Sequence, residues 1–187
     1  MQTRSFAEDY VNPRGIPRVQ FIEDVAEYVK AKAMTVDTIL QQFQELHSKY
    51  KLMETKLSQS KSVLSSKLPE IRKTLDTVNF LKKQKEETAE FDTHFGLTDS
   101  VFCEANVPPP ETVHLWLGAN VMVEFTLDEA TAMLNKNYAS ASKNLETTLE
   151  DLAWLKDQVV ILQVNISRVY NYDVIRRRAE KEKEQGQ

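Results

Sequence analysis

Two long heptad arrays flank a short stretch of alternating residues, and this pairing limits the chain to very few folds. From residue 43 an apolar side chain recurs at every seventh position, through Phe43, Tyr50, Leu57, Leu64, Ile71 and Val78. A second array runs through Tyr138, Leu145, Leu152, Val159 and Ile166, with Ala141, Thr148, Leu155, Leu162 and Val169 three residues on from each. A sustained period of seven marks helices that pack along one another. Between the arrays, LWLGANVMVEF at 115–125 carries a period of two. Each arm spans about 50 residues, or roughly 75 Å at the helical rise. Two matching helices joined by a reversing insert predict an antiparallel coiled coil with a β hub at one end. Glu86 should then lie near Leu127 at the hub, and Val36 near Ile175 at the far tip. The fold class is mainly α with a small β insert: an antiparallel two-helix coiled coil joined by two β-hairpins. Such a chain offers a docking surface and two helix ends, and no evident catalytic pocket.

The finer pattern divides one expected domain into an N-terminal segment (1–34), a first coiled-coil helix (35–90), two hairpins (91–125), a second coiled-coil helix (126–178) and a polar tail (179–187). Residues 1–18 read as polar and irregular, broken by Pro13, Gly15 and Pro17. Phe21, Ile22, Val25 and Val29 follow at helical spacing and suggest a turn or two of amphipathic helix. Thr35 is placed to cap the first arm. Its second seam position drifts: Leu46, Met53 and Leu81 fit, Ser60, Lys67 and Thr74 interrupt, and Leu68 and Leu75 take over one residue later. Pro69 removes one helical hydrogen bond at a cost of roughly 3 kcal/mol. The apolar phase continues from Leu64 to Ile71 regardless, so a kink is expected rather than an end. Thr126 and Glu129 form a capping box at the start of the second arm.

In the insert, Phe95 and Leu97 begin a strand-like run and Thr98-Asp99-Ser100 reads as a turn. Val101, Cys103, Ala105 and Val107 alternate with Phe102, Glu104 and Asn106, and the three prolines 108–110 make a stiff connector. Val113, Leu115 and Leu117 alternate with His114 and Trp116, Gly118-Ala119-Asn120 turns the chain, and Val121, Val123 and Phe125 return. Trp116 and Met122 make the second face apolar as well. Isolated hairpins are marginal in water, so two apolar faces and open edges call for a cover from another chain. The expected subunit interface is Val101, Cys103, Ala105, Val113, Leu115, Trp116, Leu117, Gly118, Val121, Val123 and Phe125.

Composition closes off other classes. Only 4 Gly and 6 Pro interrupt 187 residues, and 28% of the residues are charged. The net charge of −4 gives no footprint for nucleic acid. No run of about 18 apolar residues exists, so no membrane helix is expected; the first ten residues lack an apolar leader core. A single cysteine, Cys103, forbids an intrachain disulfide and fits a reducing compartment. The cytoplasm is the expected location, with the nucleus as a second one. Glycines 15, 96, 118 and 186 are too scattered for a phosphate-cradling loop. His47, His94 and His114 have no ligand spacing with each other or with Cys103. No catalytic residue, cofactor or metal is therefore expected.

At the tips, Ile39, Leu40, Phe43, Val169, Tyr170, Tyr172, Val174 and Ile175 either complete the terminal coil or stay partly exposed to hold something apolar. Arg176, Arg177 and Arg178 either favour a helix C-terminus or contact an acidic partner.

GIP at 15–17 with FIEDV at 21–25, KYKLME at 49–54, LPEI at 68–71, VFCEANVPP at 101–109, LWLGANVMVEF at 115–125 and VNISRVYNYDVIRR at 164–177 together resemble the α-class subunits of the prefoldin family over residues 15–178. Tyr172 stands where tryptophan, and Phe125 where tyrosine, is usual there. The resemblance implies a heterohexamer with five other prefoldin subunits, one α-class and four β-class. It implies that the hairpins build a central β barrel and that the arm tips hold unfolded actin and tubulin for delivery to the cytosolic chaperonin, without nucleotide. The competing reading is a coiled-coil scaffold or tether, which would bind folded proteins and ignore unfolded ones.

Overall fold

A computed structural model describes residues 12–88 and 90–185, with side chains as far as residue 182. Residues 1–11 of the expected N-terminal segment, residue 89, and residues 186–187 of the expected tail lie outside the described part. The elements run α1 (Val25–Lys32), α2 (Val36–Glu87), β1 (Phe91–Thr98), β2 (Val101–Val107), β3 (Thr112–Gly118), β4 (Val121–Thr126) and α3 (Leu127–Gln185). Two small antiparallel hairpins thus stand between long helices. The chain divides into two compact units, one made of 1–62 with 146–187 and the other of 63–145.

Local chemistry sets the helix ends. Asp24 caps α1 by accepting from the backbone N–H groups of Ala26 and Glu27 at 2.7 and 3.0 Å. Ala33 closes α1 in the left-handed region, and Thr88 at φ 51° does the same after α2. Thr35 Oγ1 accepts from Thr38 N–H at 3.3 Å at the head of α2. The capping box closes in both directions: Thr126 N–H donates to Glu129 Oε2 at 3.1 Å, and Glu129 N–H donates to Thr126 Oγ1 at 3.3 Å. α2 passes through Pro69 without ending. α3 continues past the expected stop at residue 178 to Gln185. Its last turns, RRRAEKEKEQ, are strong helix formers with no breaker before Gly186, and Arg176 and Glu180 pair across one turn at 3.9 Å.

In the unit of 63–145, Val78 packs with Leu127, Ala130 and Leu134, and Val113, Leu115 and Phe125 lie against that cluster. Lys82 pairs with Asp128 at 2.7 Å, which places the end of α2 beside the start of α3. In the other unit the heptad residues Tyr50, Leu155, Val159 and Leu162 share one buried cluster, and Ile39 and Val169 share another. In both units α2 numbering rises as α3 numbering falls, so the helices run antiparallel.

The segment before α1 departs from its sequence reading. Residues 12–24 are not a loose polar lead. Ile16 and Val19 belong to the cluster of Tyr50, Trp154, Leu155 and Leu162, while Ile22 and Val25 belong to that of Ile39 and Val169. After a turn at its start, where the Gly15 N–H donates to the Asn12 carbonyl at 3.1 Å, the segment is a strap laid along the helix pair.

Candidate functional site

Two surfaces are candidates, the hairpin strands and the strap-covered helix pair. In the first hairpin Phe91 faces Val107, Phe95 faces Cys103 and Thr93 faces Ala105. In the second, Val113 faces Phe125, Leu115 faces Val123 and Trp116 faces Met122. Ala119 and Asn120, both at positive φ (48° and 62°), supply the two central residues of the tight second turn, and Gly118 precedes them at φ 90°. Each hairpin is a separate two-stranded sheet, so its edges carry unpaired backbone groups.

The expected interface residues divide by face. Val113, Leu115, Val123 and Phe125 are half-buried, and Val113, Leu115 and Phe125 lie on the cluster of Val78 and Leu127. That inner face is already occupied within the chain. The opposite face and the turn leave Trp116, Leu117, Val121 and Met122 exposed, Trp116 by 58%. On the first hairpin, Phe95, Leu97, Val101 and Phe102 are exposed, Phe102 by 62%, while Cys103 and Ala105 are half-buried. The Cys103 thiol points to the Phe95 carbonyl oxygen at 3.6 Å. Apolar surface clustered on short strands with open edges is surface built to be covered.

The expected tip residues are mostly spoken for. Ile39 and Val169 are fully buried, and Leu40, Phe43 and Tyr172 pack against them. This corrects the picture of a fraying end: the strap and α1 supply Ile22, Val25, Tyr28 and Val29 as a lid over that cluster. Val174 is half-buried, whereas Tyr170 and Ile175 stay exposed. Arg176 and Arg177 are tied inside the chain. Both reach the nearly buried Asp173 carboxylate, and Arg177 also reaches Asp37 at 3.1 Å. Neither of the two expected roles describes these pairs: α3 runs on to Gln185, so the arginines do not lie in its last turn; Arg178 is exposed.

The sequence reading missed the polar seam beneath the strap. Asp151, Gln158 and Asn165 are buried polar residues spaced by seven along α3. Asp151 accepts from the Asn12 side-chain amide at 2.7 Å and pairs with Arg14. Gln158 Oε1 accepts the Val19 N–H at 2.7 Å. Asn165 accepts the Ile22 N–H at 3.1 Å and donates to the Gln20 carbonyl at 2.8 Å. Tyr50 on α2 donates to the Pro17 carbonyl at 2.8 Å, and burial raises its pKa. The signal was present as polar residues at a heptad position facing Ile16, Val19, Ile22 and Val25, which recur every third residue.

Among the described residues no group of three or more His, Cys, Asp or Glu is placed to hold a metal ion. No described helix is long and apolar enough to cross a membrane.

The profile of the family described as "Prefoldin subunit" matches residues 50–172. Proteins named "Prefoldin subunit 3" from Mus musculus and Homo sapiens are each 47% identical over 164 residues, covering 87% of this chain and 84% and 83% of theirs. The protein of that name from Elsinoe fawcettii is 42% identical over 94% of this chain and 88% of its own. The chain belongs to the prefoldin family. Prefoldin subunits are non-enzymatic co-chaperones that assemble with one another, and this chain is a prefoldin chaperone subunit.

Proposed function

We propose that this chain is one subunit of a heterohexamer containing one further α-class and four β-class prefoldin subunits. The assembly captures unfolded proteins such as actin and tubulin and passes them to the cytosolic chaperonin without nucleotide. The observation that carries the reading is the apolar, open-edged strand surface around Phe102 and Trp116 in a chain of this family. Hub assembly through Val101, Cys103, Ala105 and the second hairpin leaves the arms available to hold clients. Several weak arm contacts on one client raise avidity while permitting release. The single cysteine agrees with work in the reducing cytoplasm.

The test is native mass spectrometry on complexes recovered through a tag on this chain, with a parallel assay of aggregation of unfolded actin. One copy in a six-chain assembly that suppresses aggregation is expected. A homo-oligomer, or a stoichiometric complex with a folded protein, would overturn the reading in favour of a scaffold.

A further inference from the structure

The strap and α3 share a register. From Gln158 to Asn165 the helix advances seven residues, roughly 10.5 Å. From Val19 to Ile22 the strap advances three residues, roughly 9–10 Å in an extended chain. Over this step the two advances match, so Gln158 and Asn165 meet backbone groups three residues apart; one heptad earlier, where the strap turns at Asn12–Gly15, Asp151 meets the side chains of Asn12 and Arg14 instead. The strap runs parallel to α3, from Asn12 at Asp151 to Glu23, whose carbonyl accepts from Arg168 at 2.7 Å.

What this seam recognises is largely main chain. Gln158 reads one backbone N–H, and Asn165 reads an N–H and a carbonyl as a pair. Any extended segment presents the same groups. Side-chain selection comes from the apolar seats of Ile16, Val19, Ile22 and Val25, and from Asp151, whose carboxylate takes Arg14 two residues before the first of them. A two-helix coil would not bury an aspartate, a glutamine and an asparagine in a row on one helix; burial of such groups costs unless each is paired. The groove is therefore a built receptor for an extended peptide, and the strap is the peptide that fills it.

We propose that the α3 groove formed by Asp151, Gln158 and Asn165 is a client-binding site for non-native segments that are extended with an apolar residue at every third position and carry a basic residue in a turn just upstream. The strap is its internal occupant and leaves when a client segment enters. The proposal rests on the client-holding function above and adds where, and by what exchange, a client is held. Because the strap is tethered, it competes at a high effective concentration, so a single short segment displaces it poorly and a long client with several such segments displaces it well.

Hydrogen exchange on the intact assembly decides it. With unfolded actin bound, the amides of Val19 and Ile22 should lose protection while helical amides of the α3 core around Leu155 keep theirs. Failure to hold actin at all would refute the chaperone function; actin held with Val19 and Ile22 still protected would refute only this groove. A second measurement uses a fluorescent peptide of sequence NPRGIPRVQFIEDV (residues 12–25) and the full chain carrying Val19→Asp and Ile22→Asp. The variant should bind the peptide at least about tenfold more tightly than wild type, because the tethered competitor is weakened. Equal affinity with the arms still helical by circular dichroism overturns the proposal. If the arms of the variant melt, the exchange measurement on the unaltered assembly alone upholds or overturns it.

Discussion

Asn165→Leu isolates the polar seam from the apolar contacts around it. Asn165 is fully buried and makes two bonds to the strap, one from the Ile22 N–H at 3.1 Å and one to the Gln20 carbonyl at 2.8 Å. Leucine keeps the branched four-heavy-atom outline, is somewhat larger, and removes both bonds. Each is worth about 1 kcal/mol net, and a buried group left without a partner adds about 1–3 kcal/mol more. Gln20 is exposed and its carbonyl can turn to water, whereas Ile22 is buried and its N–H cannot. The expected loss is therefore two bonds and one orphaned donor, about 3–5 kcal/mol. The strap can also undock on its own, which caps the cost at its docking free energy. Amide exchange at Val19 and Ile22 should accelerate by up to about 140- to 3,700-fold, at 1.4 kcal/mol per tenfold. Far-UV circular dichroism of the arms should hold. Exchange at both amides within about threefold of wild type would mean that the seam contributes under 1 kcal/mol, and the account of the strap as hydrogen-bonded to α3 would be wrong.

Leu162→Ala empties a fully buried seat in the Tyr50 cluster; a loss of about 2–5 kcal/mol is expected in chemical denaturation, and a change below the lower bound would show that the site collapses freely. Hydrogen bonds from Thr126 lower the Glu129 pKa, and the Lys82 ion pair lowers that of Asp128. Their contributions are thus fully present above the ordinary carboxylate range and fade as pH falls through the lowered values; an acid titration of amide protection at the start of α3 should show this, and Glu129→Gln should flatten the Glu129 part. Ala119→Gly relieves a left-handed alanine at φ 48° and should stabilise the second hairpin by about 1 kcal/mol, read as slower exchange in β3 and β4. Trp116→Ala should change the stability of the free chain by no more than about 0.5 kcal/mol, since the side chain is exposed, while lowering recovery of partner subunits; unchanged recovery would exclude Trp116 from the interface.

The helices and hairpins were legible because each follows from one repeating pattern. The heptads, the Thr126–Glu129 box and the turn at Ala119-Asn120 all lie where local chemistry put them. The α3 extension to Gln185 was missed because a charged tail is easily equated with a loop, although arginine, glutamate and lysine are good helix formers. The strap was missed for a different reason. Its prolines and glycine rightly exclude helix, but a segment that cannot be helical can still be buried. An extended segment with apolar residues every third position has no sheet partner, and its backbone groups need acceptors from elsewhere. Those acceptors, Gln158 and Asn165, lie more than a hundred residues away, and only the three-dimensional pairing reveals that the two periods belong together.

The two units then face opposite problems. The second hairpin has one face packed on the cluster of Val78 and Leu127, while Trp116 and Met122 on its other face, and Phe95 and Phe102 on the first hairpin, stay exposed; under the proposed function other subunits cover them. The strap-bearing unit has the reverse condition, because its polar seam and its apolar seats are both filled from within. A surface left open favours permanent assembly, since nothing has to be removed before a partner adds its strands. A surface filled by a tethered segment favours reversible binding, since every client must first displace a competitor and is displaced by it in turn. If both proposals hold, hub contacts would be permanent and arm contacts exchangeable, so that release would come from competition rather than from hydrolysis. On that proposal the competitor is residues 12–24, and Asn165, bonded to the Ile22 N–H and the Gln20 carbonyl, sets its grip.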